Sequence, residues 1–245
     1  MYINTSGLVL RETAYKDSSK ILTVLTGAEG KLTVSARGAL RKNSKLTAVT
    51  QLLAFSEMTL YCGRDRWTLT EGRSVEQFIG LRDDIALLSL GAYFAELTEA
   101  VADEDSPSPE LLPLCLNALF ALSEKIKSPE QVKPAFELRL MYVSGFAPLI
   151  ERCCSCGREH SERAFMDITG GTVFCGACKT AGSIGLSMGA LDAARYIISC
   201  DPKKLFSFTL GDTALRELTA AAESYLLAHL DRSFRTLDYF KGIIT

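Results

Sequence analysis

The sequence has 245 residues, of which 47% are hydrophobic and 23% are charged, and its formal net charge is −2. These values are typical of a folded protein with a substantial core, and they exclude a disordered or low-complexity chain. No apolar run reaches the roughly 18 residues that a membrane span needs, and the N-terminal residues lack the basic start and apolar block of a signal peptide. We therefore expect a cytoplasmic protein with no membrane partner.

The first 80 residues predict five β-strands. Alternating or β-rich runs occur at GLVLRET, KILTVLT, KLTVSAR, EMTLYC and RWTLTEG, with turn-forming residues between them. Five short strands with a basic loop after the third indicate an OB-fold barrel over residues 1–80. The aromatic residues of this region are Tyr15, Phe55, Tyr61 and Trp67. Exposed rings of this kind could stack on bases, although large side chains more often fill the interior of a small barrel.

Positive charge is concentrated in the first part of the chain. Residues 1–80 contain 11 Lys and Arg against 7 Asp and Glu, whereas residues 81–245 contain 16 against 22. The segment GKLTVSARGALRKNSK contains no acidic residue, and its cations are Lys31, Arg37, Arg41, Lys42 and Lys45. Such a cluster fits a surface that binds a polyanion, and from charge alone it fits a solvated basic loop equally well.

Helical periodicity begins near Leu81. Two apolar stripes run through residues 81–101, which is typical of a central helix packed on two faces. Further helical segments follow at residues 112–122, 188–199 and 215–229. Another begins at Ser128-Pro129-Glu130-Gln131, where the spacing predicts a capping box, and continues through FELRLMYVSGF. The sequence thus predicts a multidomain α and β protein, in which residues 81–149 and 183–245 form an all-α domain.

Two cysteine knuckles, RCCSCG and FCGAC, interrupt the helical pattern. They have the spacing C-x2-C-x18-C-x2-C, with the four positions at Cys153, Cys156, Cys175 and Cys178. This spacing is typical of one structural zinc ion, because four thiolates leave no coordination position for water or substrate. Residues 150–182 are therefore predicted to be a zinc-ribbon insertion in the helical domain. Buried free thiols or disulfides are the alternative, and a reducing cytoplasm disfavours the disulfides.

The remaining four cysteines are less favoured as metal ligands. Cys62, Cys115 and Cys200 are isolated in the sequence and fit small core residues. Cys154 could replace a ligand of the first knuckle. Its separation from Cys156 by a single residue makes that the less favoured assignment.

The spacing of the polar residues supports no catalytic constellation. His160-Ser161-Glu162, followed by the second knuckle, imitates the signature of zinc deaminases. Against that class, Phe174 occupies the place of the signature's proline, the gap is short, and the first knuckle would have no role. His229 lies in a helical stripe and is more typical of a packed side chain than of a general base. We therefore expect a binding protein and not an enzyme.

Three segments, taken in this order, resemble the bacterial RecO family of recombination and DNA-repair mediators. They are GLVLRETAYKDSSKILTVLTGAEGKLTVSARGALRKNSKL, FELRLMYVSGFAPLIERCCSCG and YLLAHLDRSFRTL. The resemblance implies a nucleoid-associated protein that binds single- and double-stranded DNA and anneals complementary strands. It also implies that the protein acts with RecR and the acidic C-terminal tail of single-stranded DNA-binding protein to help load RecA.

The resemblance assigns these functions to particular positions of this chain. The family's basic strand and loop correspond to Arg37, Arg41, Lys42 and Lys45, to which Lys31 and Trp67 are added as further DNA-binding candidates. Its zinc ligands correspond to the four knuckle cysteines named above. Its site for the acidic tail lies near FELRL, where Arg139 and Lys133 are the nearest cations. The alternative is a zinc-ribbon scaffold or regulatory protein whose barrel binds protein partners.

Overall fold

The computed structural model describes residues 1–64, 66–104 and 106–244. The last residue of the predicted helical domain, Thr245, lies outside the described residues. The chain divides into two compact units, which are Met1–Glu124 together with Phe234–Thr245, and Lys125–Ser233. The finer division into a barrel, a helical domain and a zinc-ribbon insertion stays a prediction. In the described part of the chain, every helix is too short or too polar to cross a membrane.

The first unit contains a closed barrel of five strands. They are β1 (Tyr2–Tyr15), β2 (Ser19–Thr26), β3 (Gly30–Ala36), β4 (Phe55–Gly63) and β5 (Arg66–Glu76). Their order around the barrel is β1-β2-β3-β5-β4, and β1 also pairs with β4. Paired strands are antiparallel except β3 and β5, which run parallel where Val34 pairs with Trp67. This arrangement confirms the OB-fold predicted for the N-terminal residues.

The alternation of side chains along β3 separates the barrel core from its outer face. Leu32, Val34 and Ala36 are buried in the core, whereas Thr33 and Ser35 are on the opposite face. Successive side chains of a strand point to opposite sides, so a core on one side leaves a polar row on the other. The polar row of β3 therefore forms part of the outer surface of the barrel.

Six α-helices lie in the described residues. They are α1 (Ile85–Val101), α2 (Leu111–Ser123), α3 (Pro129–Val143), α4 (Met188–Ser199), α5 (Asp212–Leu230) and α6 (Arg235–Ile244). The carboxylate of Asp84 caps α1 by accepting from the backbone N–H of Ala86 at 2.8 Å. Helix α1 packs against α2 and α6 within the first unit, as expected for a helix that is apolar on two faces.

The second unit combines α3, α4 and α5 with a three-stranded antiparallel sheet. Its strands are β6 (Arg163–Asp167), β7 (Thr172–Cys175) and β8 (Ile184–Ser187), in the order β7-β6-β8. Helix α3 begins at Pro129, as predicted, but the predicted capping box is wrong. The Ser128 side chain makes no cap hydrogen bond, and the Gln131 amide instead donates to the carbonyl of Phe208 at 2.5 Å.

Candidate nucleic-acid interface and metal centre

A groove of about 1050 Å³ lies on the outside of the barrel, across β2, β3 and β5. We call it the barrel groove. Its floor includes Ile21, Thr33, Ser35 and Thr68, which alternate with core residues along their strands. Its cationic and aromatic lining residues are Tyr15, Lys16, Arg37, Tyr61, Arg64, Arg66 and Trp67. Since none of the described lining residues is acidic, the barrel groove is suited to a polyanion that also offers aromatic faces.

Two hairpin turns bring cations to the barrel groove. Lys16 lies in the turn between β1 and β2, and Arg64 and Arg66 lie at the turn between β4 and β5. Lys16 and Arg64 have φ angles of 55° and 53°, in the left-handed region that residues other than glycine seldom adopt. Such conformations often mark functional sites, because the surrounding structure must hold them in place.

Tyr15 and Tyr61 are the exposed rings of the barrel groove. Their exposed fractions are 47% and 40%, so neither ring fills the barrel interior. The Tyr61 ring packs against Tyr2 with 4.9 Å between centroids, and the Lys16 ammonium lies 5.2 Å from the centroid of Tyr15. A Cβ at Gly63 would lie 2.8 Å from the Tyr61 ring, so glycine at this position leaves space for the ring.

Trp67 has a mixed position. It is half-buried, packs against the barrel core and also lines the barrel groove. On β5 it shares the inward face with Leu69, which is buried, and it lies next to Val34 of β3. Trp67 therefore contributes to the core and can offer part of its ring to a ligand.

The predicted basic residues fall into three places. Arg37 lines the barrel groove. Arg41, Lys42 and Lys45 are exposed on the loop between β3 and β4 and are not among the residues that line the groove. Lys31 lies at the opposite end of β3, six residues or about 20 Å from Arg37. The acid-free run of the sequence therefore does not form a single continuous face.

Lys31 is occupied by contacts within the first unit. Its ammonium donates to the carbonyl of Glu99 at 3.1 Å, and its backbone N–H donates to the carbonyl of Asp103 at 3.3 Å. Glu99 is in α1 and Asp103 follows that helix. These contacts indicate a structural role for Lys31 in joining the barrel to α1.

The sequence did not single out Lys16, Arg64 and Arg66. They are scattered in the charge pattern, because each lies in or beside a turn signal and not in the acid-free run. Their common feature is that the OB-fold order brings the β1–β2 and β4–β5 turns to the same groove. These three cations could have been found from the sequence by locating the basic residues in the two predicted hairpin turns of the barrel.

The four knuckle cysteines come together in the second unit. The sulfur atoms of Cys153, Cys156, Cys175 and Cys178 all lie within 4.8 Å of one another. Strand β7 ends at Cys175, and the β6–β7 hairpin connects the two knuckles. Cys154 donates its backbone N–H to the carbonyl of Val173 at 2.9 Å, which holds the first knuckle against this hairpin. The four cysteines that the spacing singled out therefore lie together in one cluster.

Hydrogen bonds from the backbone of the knuckles change the pKa values of the thiols. Hydrogen bonds from the backbone of Cys156 and Cys175 lower the pKa of Cys153 to about 6. The backbone of Ala177 lowers the pKa of Cys175 in the same way. The Ser155 hydroxyl lowers the pKa of Cys178, but contacts with the sulfur atoms of Cys175 and Cys156 outweigh this effect and raise it to about 11. A cation at the centre would favour the thiolate form of all four.

The donor set fits a tetrahedral ion with sulfur ligands. With metal–sulfur bonds of the length found for zinc, neighbouring ligand atoms lie about 3.8 Å apart. The sulfur atoms of Cys156 and Cys175 are 3.8 Å apart. Cys154 is exposed and is not a member of the cluster. The cluster can therefore hold one metal ion.

The isolated cysteines differ in burial. Cys115 is fully buried beside Thr98, and burial raises its pKa to about 12, so its thiol remains protonated and unreactive. Its predicted place in the core is confirmed. Cys62 and Cys200 are only half-buried.

Lys133 and Arg139, the predicted contacts for an acidic tail, are both buried in the second unit. Their exposed fractions are 4% and 6%. The Lys133 ammonium lies 2.7 Å from the Glu137 carboxylate and 2.8 Å from that of Glu223. Arg139 donates to backbone carbonyls at the end of α4, among them that of Ile198 at 2.7 Å. Since both charges are engaged inside the unit, neither side chain presents an open cationic surface.

These features define a class of protein: an OB-fold barrel with a cationic and aromatic groove, followed by helices and a four-cysteine cluster that can hold a metal ion. Residues 1–78 match the family model described as Recombination protein O N terminal, and residues 82–238 match Recombination protein O C terminal. The chain belongs to the RecO family.

Curated relatives match over nearly the whole chain. The DNA repair protein RecO of Acetivibrio thermocellus is 32% identical over 244 residues, covering 99% of this chain and 97% of the relative. The protein of the same name from Symbiobacterium thermophilum is 31% identical over 242 residues, covering 96% and 95%. That of Caldicellulosiruptor bescii is 30% identical over 241 residues, covering 98% of each chain. The expected family is confirmed.

Proposed function

We propose that this chain is a recombination mediator that binds single- and double-stranded DNA through its barrel and anneals complementary strands. The barrel groove carries this proposal. It combines Lys16, Arg37, Arg64 and Arg66 with exposed tyrosine rings, and its described lining contains no acid. Cations neutralise phosphates, and aromatic rings stack on unpaired bases whatever their sequence. Membership of a family whose curated members are named DNA repair proteins supports the same conclusion.

The proposed mechanism is stoichiometric and involves no covalent chemistry. Two single strands repel each other through their phosphates, and this repulsion opposes pairing. A cationic surface that binds both strands lowers the repulsion and raises the local concentration of one strand near the other. The chain would therefore act as a binding protein and not as an enzyme.

The proposed partners are RecR, the C-terminal tail of single-stranded DNA-binding protein and, indirectly, RecA, whose loading on coated single strands the chain would assist at the bacterial nucleoid. We place the tail site near FELRL in the second unit. Lys133 and Arg139 remain the candidates of that segment, although a tail could reach their charges only if the surrounding helices moved.

We propose zinc as the metal of the four-cysteine site. Cys153, Cys156, Cys175 and Cys178 would hold it, and their all-sulfur set is the one that structural zinc sites use. When bound, the ion would crosslink the two knuckles. A small hairpin with little core of its own gains much of its stability from such a crosslink.

A strand-annealing assay tests the proposal. Purified chain should accelerate pairing of complementary single strands, both naked and coated with single-stranded DNA-binding protein, and added salt should weaken the effect. Absence of acceleration together with absence of DNA binding at low salt would refute it. That result would favour the alternative, a zinc-ribbon scaffold whose barrel binds protein partners. The barrel has a second depression, lined in part by Glu57 and Arg73, that offers a surface for such a partner.

A further inference from the structure

Two groups of cations on the barrel differ in chemistry. The barrel groove has tyrosine rings beside its cations. The loop between β3 and β4 carries Arg41, Lys42 and Lys45 on exposed positions, and none of its residues from 38 to 47 is aromatic. We call these three cations the loop track. The loop track can bind phosphate but has no ring on which a base could stack.

The two places are adjacent and the loop track is held in position. Arg37, at the end of β3, lines the groove, and the next residue, Gly38, starts the loop with a φ angle of 70°. The Arg41 side chain folds over Gly38, since a Cβ there would lie 3.4 Å from its Cδ and Nε atoms. Successive turns, closed by bonds such as Ser44 N–H to the carbonyl of Arg41 at 3.0 Å, make the loop compact. The loop track therefore lies next to Arg37, which lines the barrel groove.

We propose that these are two tracks for two DNA strands, an inference that rests on the proposed function. The barrel groove holds one unpaired strand by stacking its bases on Tyr15 and Tyr61. The loop track holds the sugar-phosphate backbone of the complementary strand and leaves its bases free to pair. Stacking needs exposed base faces, which a duplex lacks, so the tyrosine rings give the groove a preference for single strands. Phosphate contacts do not sense pairing, so the loop track also retains the duplex product.

The test compares two variants of the full chain on two DNA ligands. The groove variant is Tyr15→Ala with Tyr61→Ala, and the loop variant is Arg41→Gln with Lys42→Gln and Lys45→Gln. A matched control for the first is Tyr239→Ala, which removes an exposed tyrosine from α6. A matched control for the second is Lys203→Gln with Lys204→Gln and Arg216→Gln, which removes three exposed cations from the second unit. The ligands are a deoxythymidine oligonucleotide and a blunt duplex of equal length.

We expect a crossed result. The groove variant should bind the single strand at least tenfold more weakly, as loss of two stacked bases implies, and the duplex less than twofold more weakly. The loop variant should bind the duplex at least tenfold more weakly, with a salt slope smaller by about 2.7 for three lost contacts, and the single strand less than threefold more weakly. Both variants should anneal slowly, and both controls should behave as wild type.

Four outcomes would overturn the inference. If each variant loses the same factor on both ligands, the cations form one continuous site, and if the pattern is reversed, the two tracks have the opposite preferences. In both cases the proposed function still stands. If neither variant loses affinity while wild type binds, the DNA path lies outside the barrel. If wild type itself does not bind DNA, the proposed function fails as well. Since Trp67 is the single tryptophan and lines the groove, its fluorescence in wild type gives an independent check. It should respond to the single strand and not to the duplex.

Discussion

Leu40 donates its backbone N–H to the carbonyl oxygen of Ser18 at 3.0 Å. This bond joins the β3–β4 loop to the turn between β1 and β2, which carries Lys16. A basic loop of this length would lose considerable conformational freedom on binding a ligand if it were mobile. The bond holds the loop beside the barrel groove. Much of the loop's conformational entropy is therefore already lost on folding, and its cations are in position before DNA binds.

Arg37 and Lys31 should respond differently to neutral substitution. Arg37→Gln should reduce the slope of log affinity against log salt for single strands by about 0.7, because one phosphate contact is lost. The reduction should be similar for different sequences, since phosphate contacts carry no base information. Lys31→Met should leave this slope unchanged and lower thermal stability, because the Lys31 ammonium donates a hydrogen bond to the backbone carbonyl of Glu99. Salt titrations and melting curves measure both. An equal change of slope in both variants would return Lys31 to the DNA-binding surface.

Trp67→Ala should reduce stability as well as DNA binding. Full burial of an aromatic side chain makes its truncation cost about 3–5 kcal/mol, and the half-buried position of Trp67 reduces this expectation to about 2 kcal/mol. Urea unfolding followed by circular dichroism gives the free energy. Tyr239→Ala, at an exposed tyrosine, should change it by less than about 0.5 kcal/mol. An unchanged unfolding free energy in Trp67→Ala would show that the ring serves only the ligand.

The metal site predicts a sharp difference among neighbouring cysteines. Cys153→Ser and Cys178→Ser should each lose the bound ion, because three remaining thiolates complete no tetrahedron. Cys154→Ser should keep it, since Cys154 is exposed and outside the cluster. Elemental analysis of the purified variants measures zinc content. Full occupancy in Cys153→Ser together with loss in Cys154→Ser would reassign the first knuckle.

The sequence predicted the elements that depend on local pattern. Alternation in runs such as KLTVSAR was sufficient for the strands of the barrel, and cysteine spacing was sufficient for the metal cluster. The sequence pattern alone did not indicate helix α6. This short helix follows the end of α5 at Asp231, which has a left-handed φ angle of 47°. Phe234, Leu237 and Phe240 recur there at helical spacing and are buried, so the signal was present but short.

Features that depend on distant parts of the chain were not predictable in this way. The helix containing FELRL has charged residues at positions that suggest a solvent-exposed face. All residues from 131 to 141 are nevertheless buried. Their charges can be buried because α4 and α5 supply partners, Ile198 for Arg139 and Glu223 for Lys133. The barrel groove is a similar case, since its cations come from two turns that lie far apart in the sequence.

Arg139→Ala should lower the stability of the second unit. Its guanidinium donates to the carbonyls of Ile197, Ile198 and Cys200, which end α4 and would lose a charged donor. Loss of such buried bonds costs about 1–3 kcal/mol. Thermal melting measures this effect. Binding of an acidic tail peptide should then be compared below the melting temperature of the variant. Weaker peptide binding at unchanged stability would show that Arg139 faces the partner and not α4.

Lys133→Met should be strongly destabilising, because it removes a cation that lies 2.7 Å from the buried carboxylate of Glu137. Breaking one side of a buried ion pair costs about 3–5 kcal/mol. Adding Glu137→Leu to this variant should recover part of the loss, since the second buried charge is then removed as well. Chemical denaturation of the two variants measures the difference. A double variant no more stable than the single one would show that packing around Lys133, and not its charge, is what the unit requires.

The same ion pair gives stability a particular dependence on pH. Burial alone would lower the pKa of Lys133, but the carboxylates of Glu137 and Glu223 outweigh it and raise this pKa above its ordinary value of 10.5. A raised pKa in the folded state means that the contribution is fully present below pH 10.5 and is lost as the pH rises through the folded-state value. Wild type should therefore lose stability in strong alkali more steeply than a variant with Lys133→Met and Glu137→Leu, in unfolding experiments across that range. Parallel alkaline profiles would show that Lys133 keeps an ordinary pKa.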